Sequence, residues 1–145
     1  MLTEIQGDLF LTDIKVICHG CNTMGFMGAG IAKEFHARFP KMFVEYQRMC
    51  RLGQFTLGDC FLYETADGRL VGNLATQGKT GPCASLEGIT LSLQKLFKEC
   101  LAHGHKAVAM PRIGCGIGGL KWTEVKGLIE KISNQLGVSV TVYYL

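Results

Sequence analysis

The chain has 145 residues, 48% of them hydrophobic and 19% charged, a size and balance that suit one domain around a sizeable core and leave no room for a second. Its formal charge of +3, from 15 basic against 12 acidic residues spread along the chain, favours an anionic small ligand over a nucleic-acid surface. The opening MLTEIQGDLF lacks a basic stretch followed by an apolar one, and no run reaches 18 apolar residues, so a cytoplasmic monomer with no membrane partner is expected.

In chain order, LTEIQGD alternates enough for an edge strand, and IKVICHG is a short apolar run of buried-strand type. GAGIAKEFHARFP places Ile31, Ala32, Phe35 and Phe39 at helical spacing and stops at Pro40. KMFVEYQRMCRLG repeats that pattern and closes on Gly53, a candidate C-cap. GDCFLYET and RLVGNLAT flank the turn signal ADG and predict a hairpin. Ser85 is a candidate N-cap for a helix running to Gly104. KAVAMP is a short strand, WTEVKGLIEKISNQLG a last helix and VSVTVYYL a terminal strand. The alternation of strands and helices predicts an α/β fold, a three-layer α/β/α sandwich on a mixed, largely parallel sheet.

Seven cysteines stand at 18, 21, 50, 60, 83, 100 and 115, an odd, scattered set that predicts reduced and mostly buried thiols. Zinc held by Cys18, His19 and Cys21 with His103 and His105 is the alternative. Cys18 and Cys21 sit on a strand end and no second pair has ligand spacing, so neither metal nor cofactor is expected.

Two strand-to-helix loops are rich in glycine: TMGFMGAG, with Gly25, Gly28 and Gly30, and RIGCGIGGL, with Gly114, Gly116, Gly118 and Gly119. Loops of this kind at strand carboxyl ends let main-chain N–H groups gather around an anion without a lysine. Two facing loops suit a diphosphate. GFMGAG has the wrong spacing for a dinucleotide fingerprint, and the second loop lacks the Lys-Ser/Thr ending of a Walker A motif.

In this order and spacing, QGDLF, VICHGCNTMGFMGAGIAKEFHARFP, PRIGCGIGGLKW and VTVYYL resemble the macrodomains, which bind ADP-ribose, over nearly the whole chain. The versions here are most similar to the branches that remove ADP-ribose from macromolecules, DNA among them, and to the phosphatases of ADP-ribose 1''-phosphate. The resemblance implies a single macrodomain over 1–145 whose partner is ADP-ribose, a derivative of it, or an ADP-ribosylated macromolecule. It implies that Asp8, beside Leu9, accepts a hydrogen bond from the adenine amino group, and that Tyr143 lies against adenine. Asn22 and Thr76 would meet the distal ribose. The diphosphate would lie between Gly28, Ala29, Gly30 and Ile31 on one side and Gly114, Cys115, Gly116, Ile117 and Gly118 on the other.

The expected activity is hydrolysis at the anomeric carbon of the distal ribose, with His19 or Lys79 as the catalytic group. The sequence departs here from its relatives: NLATQGKTG puts Gln77 where glycohydrolases carry a lysine, and Gly118 stands where one branch has an aspartate. Lys79 lies two residues further on. His19 suits the phosphatase chemistry, although residues 76–86 supply no acidic partner and Cys83 is the other nucleophile there. A reader of ADP-ribose without turnover is the alternative.

Overall fold

The computed structural model describes all of residues 1–145. Six strands, β1 (Leu2–Gln6), β2 (Val16–Asn22), β3 (Cys60–Glu64), β4 (Leu70–Gln77), β5 (Ala107–Met110) and β6 (Ser139–Tyr144), form one sheet in the order β1-β6-β5-β2-β4-β3. Four helices, α1 (Gly30–Arg38), α2 (Pro40–Arg51), α3 (Leu86–Ala102) and α4 (Trp122–Leu136), connect them. Every pairing is parallel except β3 with β4, the hairpin the sequence predicts. The α/β/α sandwich and the mixed, largely parallel sheet are as expected.

Alternation along the strands sorts side chains to the two faces. Val16 and Cys18 of β2 join Leu74, Val108 and Val140 under Leu93 and Leu96 of α3 and Val125 and Ile129 of α4. Ile17 and Cys21 face the other way, with Val71, Ala75 and Ala109 under Phe35 of α1 and Met42 and Tyr46 of α2. The helix ends follow local chemistry. Ser85 caps α3 by accepting the Gly88 N–H at 3.0 Å. Pro40 opens α2 at a position that needs no N–H. Gly137 closes α4 at φ +72.

The topology places the site. β2 and β5 are neighbours, yet the chain leaves β2 toward α1 on one face and leaves β5 toward α4 on the other. A crevice opens at such a switch point, at the carboxyl ends of the strands.

Candidate functional site

The first loop, residues 23–29, is shaped by Asn22 at the end of β2. Its Oδ1 accepts the N–H groups of Met24 at 3.0 Å and Phe26 at 3.3 Å, and its Nδ2 donates to the Phe26 carbonyl at 2.8 Å. The buried Tyr46 hydroxyl stands 2.7 Å from the Asn22 carbonyl and 3.0 Å from its Oδ1. The chain then enters α1 at Ala29 with no capping side chain, which leaves the first-turn N–H groups to a ligand. A Cβ on Gly28 would meet nothing within 4 Å. That face of the loop is open.

The second loop, residues 111–121, is folded by its own backbone. Leu120 N donates to Gly114 O at 2.9 Å, Gly119 N to Gly116 O at 3.3 Å, and Ala84 N to Gly118 O at 3.1 Å. Three of its glycines are demanded by the protein, among them Gly119, which has φ +82 and would bring a Cβ to 3.0 Å from the Pro82 Cβ. Gly114 has φ +75, and a Cβ on Gly118 would lie 2.7 Å from the Gly114 carbonyl oxygen and 2.8 Å from the Ala84 Cβ. A Cβ on Gly116 meets nothing. The loops come together where Ile117 approaches to 3.7 Å of the Cβ position of Gly30.

Between them lies a cleft of about 910 Å³. The fold brings all fourteen residues expected at a ligand onto its wall, from Asp8 and Leu9 to Tyr143. Asp8 caps a short 3-10 turn, Leu9–Leu11, by accepting the Phe10 N–H at 2.9 Å through one carboxylate oxygen. Tyr143 is held by its hydroxyl, which donates to Thr12 Oγ1 at 2.9 Å. Thr76 sits at a bulge where Asn22 pairs with Gln77. Sequence reasoning missed Glu34, Thr80, Arg112 and Trp122 on this wall, and Gln77 as a lining residue. Their positions follow from which helix lies on which face, which no local motif encodes.

Neither residue expected to be catalytic lies on the cleft wall. His19 does not line the cleft. It is fully buried, its Nε2 lies 2.7 Å from Asn73 Oδ1, and its ring stacks on Phe35 at 3.8 Å. Burial pushes its pKa down to about 4, so it is a neutral core residue. Lys79 is exposed and also off the cleft wall. Its carbonyl accepts Gln77 Nε2 at 2.6 Å, and the same amide donates to Gly81 O at 3.0 Å. Gln77 therefore fixes the loop that carries Lys79.

The cysteines are all free: Cys18, Cys21 and Cys100 are buried, Cys50, Cys60 and Cys115 half-buried, and Cys83 exposed. His103 and His105 line a separate hollow with Leu62, Glu64 and Leu70, and neither Cys18 nor Cys21 lines it. No three His, Cys, Asp or Glu side chains come together to hold a metal ion.

Comparison with known proteins agrees with this geometry. The Macro domain family model matches residues 18–129. The chain is 32% identical to a DNA ADP-ribosyl glycohydrolase of Mycobacterium tuberculosis over 99% of its length, and spans 42% of that relative. It is 31% identical to the ADP-ribose glycohydrolase OARD1 of Bos taurus, over 99% of this chain and 91% of that one. Among solved structures, the macrodomain of Mycobacterium tuberculosis DarG has a TM-score of 0.91 at 31% identity, covering 100% of this chain and 98% of its own. Thermosipho africanus DarTG in complex with ADP-ribose has a TM-score of 0.87 at 26% identity, covering 98% of this chain and 41% of its own. With its family model matched and its two glycine loops meeting at the switch point of the sheet, the chain belongs to the macro domain family.

Proposed function

We propose that the cleft binds ADP-ribose and that the protein is a hydrolase that cuts the bond at the anomeric carbon of the distal ribose, freeing ADP-ribose from an attached macromolecule. The observation that carries this reading is the pair of loops whose open glycines, Gly28 and Gly116, face the cleft from adjacent strand ends. In it, adenine lies at Asp8 and Tyr143, with the second Asp8 oxygen accepting the exocyclic N–H. The diphosphate lies between the loops on backbone N–H groups, which approach closely because neither glycine interposes a side chain. The distal ribose lies toward Asn22, Thr76 and Gln77. The acceptor capacity of Asn22 is committed to its own loop, which leaves one Nδ2–H for a sugar hydroxyl.

Hydrolysis adds water oxygen to the anomeric carbon. The bond to the acceptor breaks with its electron pair on the leaving atom, which takes up the proton. Rigid loops contribute by holding the sugar in one orientation and limiting water to one side. Among hydrolases, release of a macromolecule is favoured over phosphate release, because the imidazole that phosphatase chemistry would use is sealed beneath Phe35.

The reader alternative draws on a separate observation: at the distal-ribose end the wall offers Gln77 and Thr80, and no lysine or histidine. Titration calorimetry with ADP-ribose, followed by release assays on ADP-ribosylated protein, ADP-ribosylated DNA and ADP-ribose 1''-phosphate, separates the readings. Binding with release from a macromolecule is the expected result. Binding without release of any kind makes the protein a reader, and no binding overturns the ligand assignment.

A further inference from the structure

The cleft does not end at Asp8. Where β5 and β6 finish, its wall continues through Pro111, Arg112 and Tyr144 to Trp122, the first residue of α4. Arg112 is the one lysine or arginine on the entire wall. Its guanidinium stands 4.4 Å from the Tyr144 ring centroid and 5.4 Å from that of Trp122, which holds the planar group by cation–π contact. Its Nη2 meets Glu4 Oε1 at 3.3 Å.

Glu4 does not neutralise it. That carboxylate also accepts Trp122 Nε1 at 2.9 Å and Lys126 Nζ at 3.0 Å. Two cations share one anion, and Arg112 makes the longest of the three contacts. Its side chain is 40% exposed, so the fork keeps donors free for a ligand. Elsewhere the wall carries the carboxylates of Asp8 and Glu34, and Arg112 is its one cation.

We propose that Arg112, seated on Tyr144 and Trp122, forms a subsite for a phosphate group carried on the adenosine ribose of the ligand, so that ADP-ribose substituted there binds more tightly than ADP-ribose itself. This rests on the reading of the cleft given above. With adenine at Asp8 and the diphosphate between the loops, the adenosine ribose lies along the ends of β6 and β5. Its two free hydroxyls are then the points from which a further group extends. A phosphate there is drawn to Arg112, whose fork matches two phosphate oxygens and is already oriented by stacking. Two ligands carry that chemistry: 2′-phospho-ADP-ribose, with a phosphomonoester, and two ADP-ribose units joined through the adenosine ribose, with the diphosphate of the second unit.

Calorimetry of the wild-type chain and of Arg112→Gln with ADP-ribose and both substituted ligands tests the subsite. The expected result at low salt is about tenfold tighter binding of 2′-phospho-ADP-ribose than of ADP-ribose, a ratio that falls toward one in Arg112→Gln and as salt is raised. Arg112→Lys, which keeps the charge without the fork, retains part of the preference and serves if the glutamine variant does not fold. Tightening by the joined units alone assigns the subsite to a diphosphate, and tightening by the monoester assigns it to a terminal phosphate. If neither substituted ligand binds better than ADP-ribose, the subsite is overturned and the ADP-ribose cleft stands. If none of the three ligands binds, the reading of the cleft itself has failed.

Discussion

The two glycine loops reach the same cleft by different means. The first is staked by a side chain: Asn22 gathers two N–H groups and a carbonyl of its own loop, and the Tyr46 hydroxyl steadies Asn22 from α2. The second is staked by its backbone and by the absence of side chains, since Gly114 and Gly118 sit where a Cβ would strike the loop or its neighbours. A glycine-rich loop is therefore not one kind of object. In each loop one glycine, Gly28 or Gly116, faces open space, and only these two are free to serve a ligand at no cost to the fold.

Acid tests the footing of the first loop and has the largest expected effect. His19, three residues before Asn22, has a pKa of about 4 in the fold against 6.5 in the unfolded chain. Between these values the unfolded chain takes up a proton that the folded chain refuses, so stability falls as the pH is lowered through that window. The expected loss is about 1.4 kcal/mol per pH unit and about 3 kcal/mol in all. Urea titrations from pH 7 to 4 should show this slope, and His19→Gln should flatten it. The aspartates held low by their partners, Asp59 beside Lys95 and Asp67 beside Thr65, lose their contribution further down, and Glu4 and Glu45 add to the fall only at the acid end of the window.

Next in size, Gly118→Ala should cost about 2–3 kcal/mol by overpacking against the Gly114 carbonyl and Ala84. Gly116→Ala, two residues away, should leave the urea midpoint in place and weaken ADP-ribose binding. Equal stability of the two variants would erase the distinction between structural and ligand-facing glycines. Asn22→Ala should cost about 1–2 kcal/mol, because it removes the hydrogen bonds that its side chain makes with the Met24 and Phe26 N–H groups and the Tyr46 hydroxyl. Limited proteolysis should then cut in residues 23–29 and spare 111–121. Tyr46→Phe is the mildest, at about 1 kcal/mol in thermal or urea unfolding, with the same bias toward the first loop.

Much of the cleft was legible in the sequence because glycine spacing, strand ends and helix starts are local signals. GAGI and RIGCGIGG announce two loops before two helices, and the fold sets them face to face. His19 was misread for a physical reason. A strand buried on both faces reads as a continuous apolar run, so periodicity cannot say which alternate residues look into a cleft and which into a core. Gly116 and Gly118 are indistinguishable as letters and differ only in what surrounds them. Arg112 owes its setting to Glu4, 108 positions away. Lys79 sits off the wall on a loop that the Gln77 amide holds, a contact no local motif announces.

Ile117 and Phe26 stand at the mouth of the cleft, one on each loop, and each is 55% exposed. A ligand seated between the loops takes apolar surface at both residues out of water. Although the ligand is a dianion, its association should then carry a negative heat-capacity change, so that binding grows more exothermic on warming.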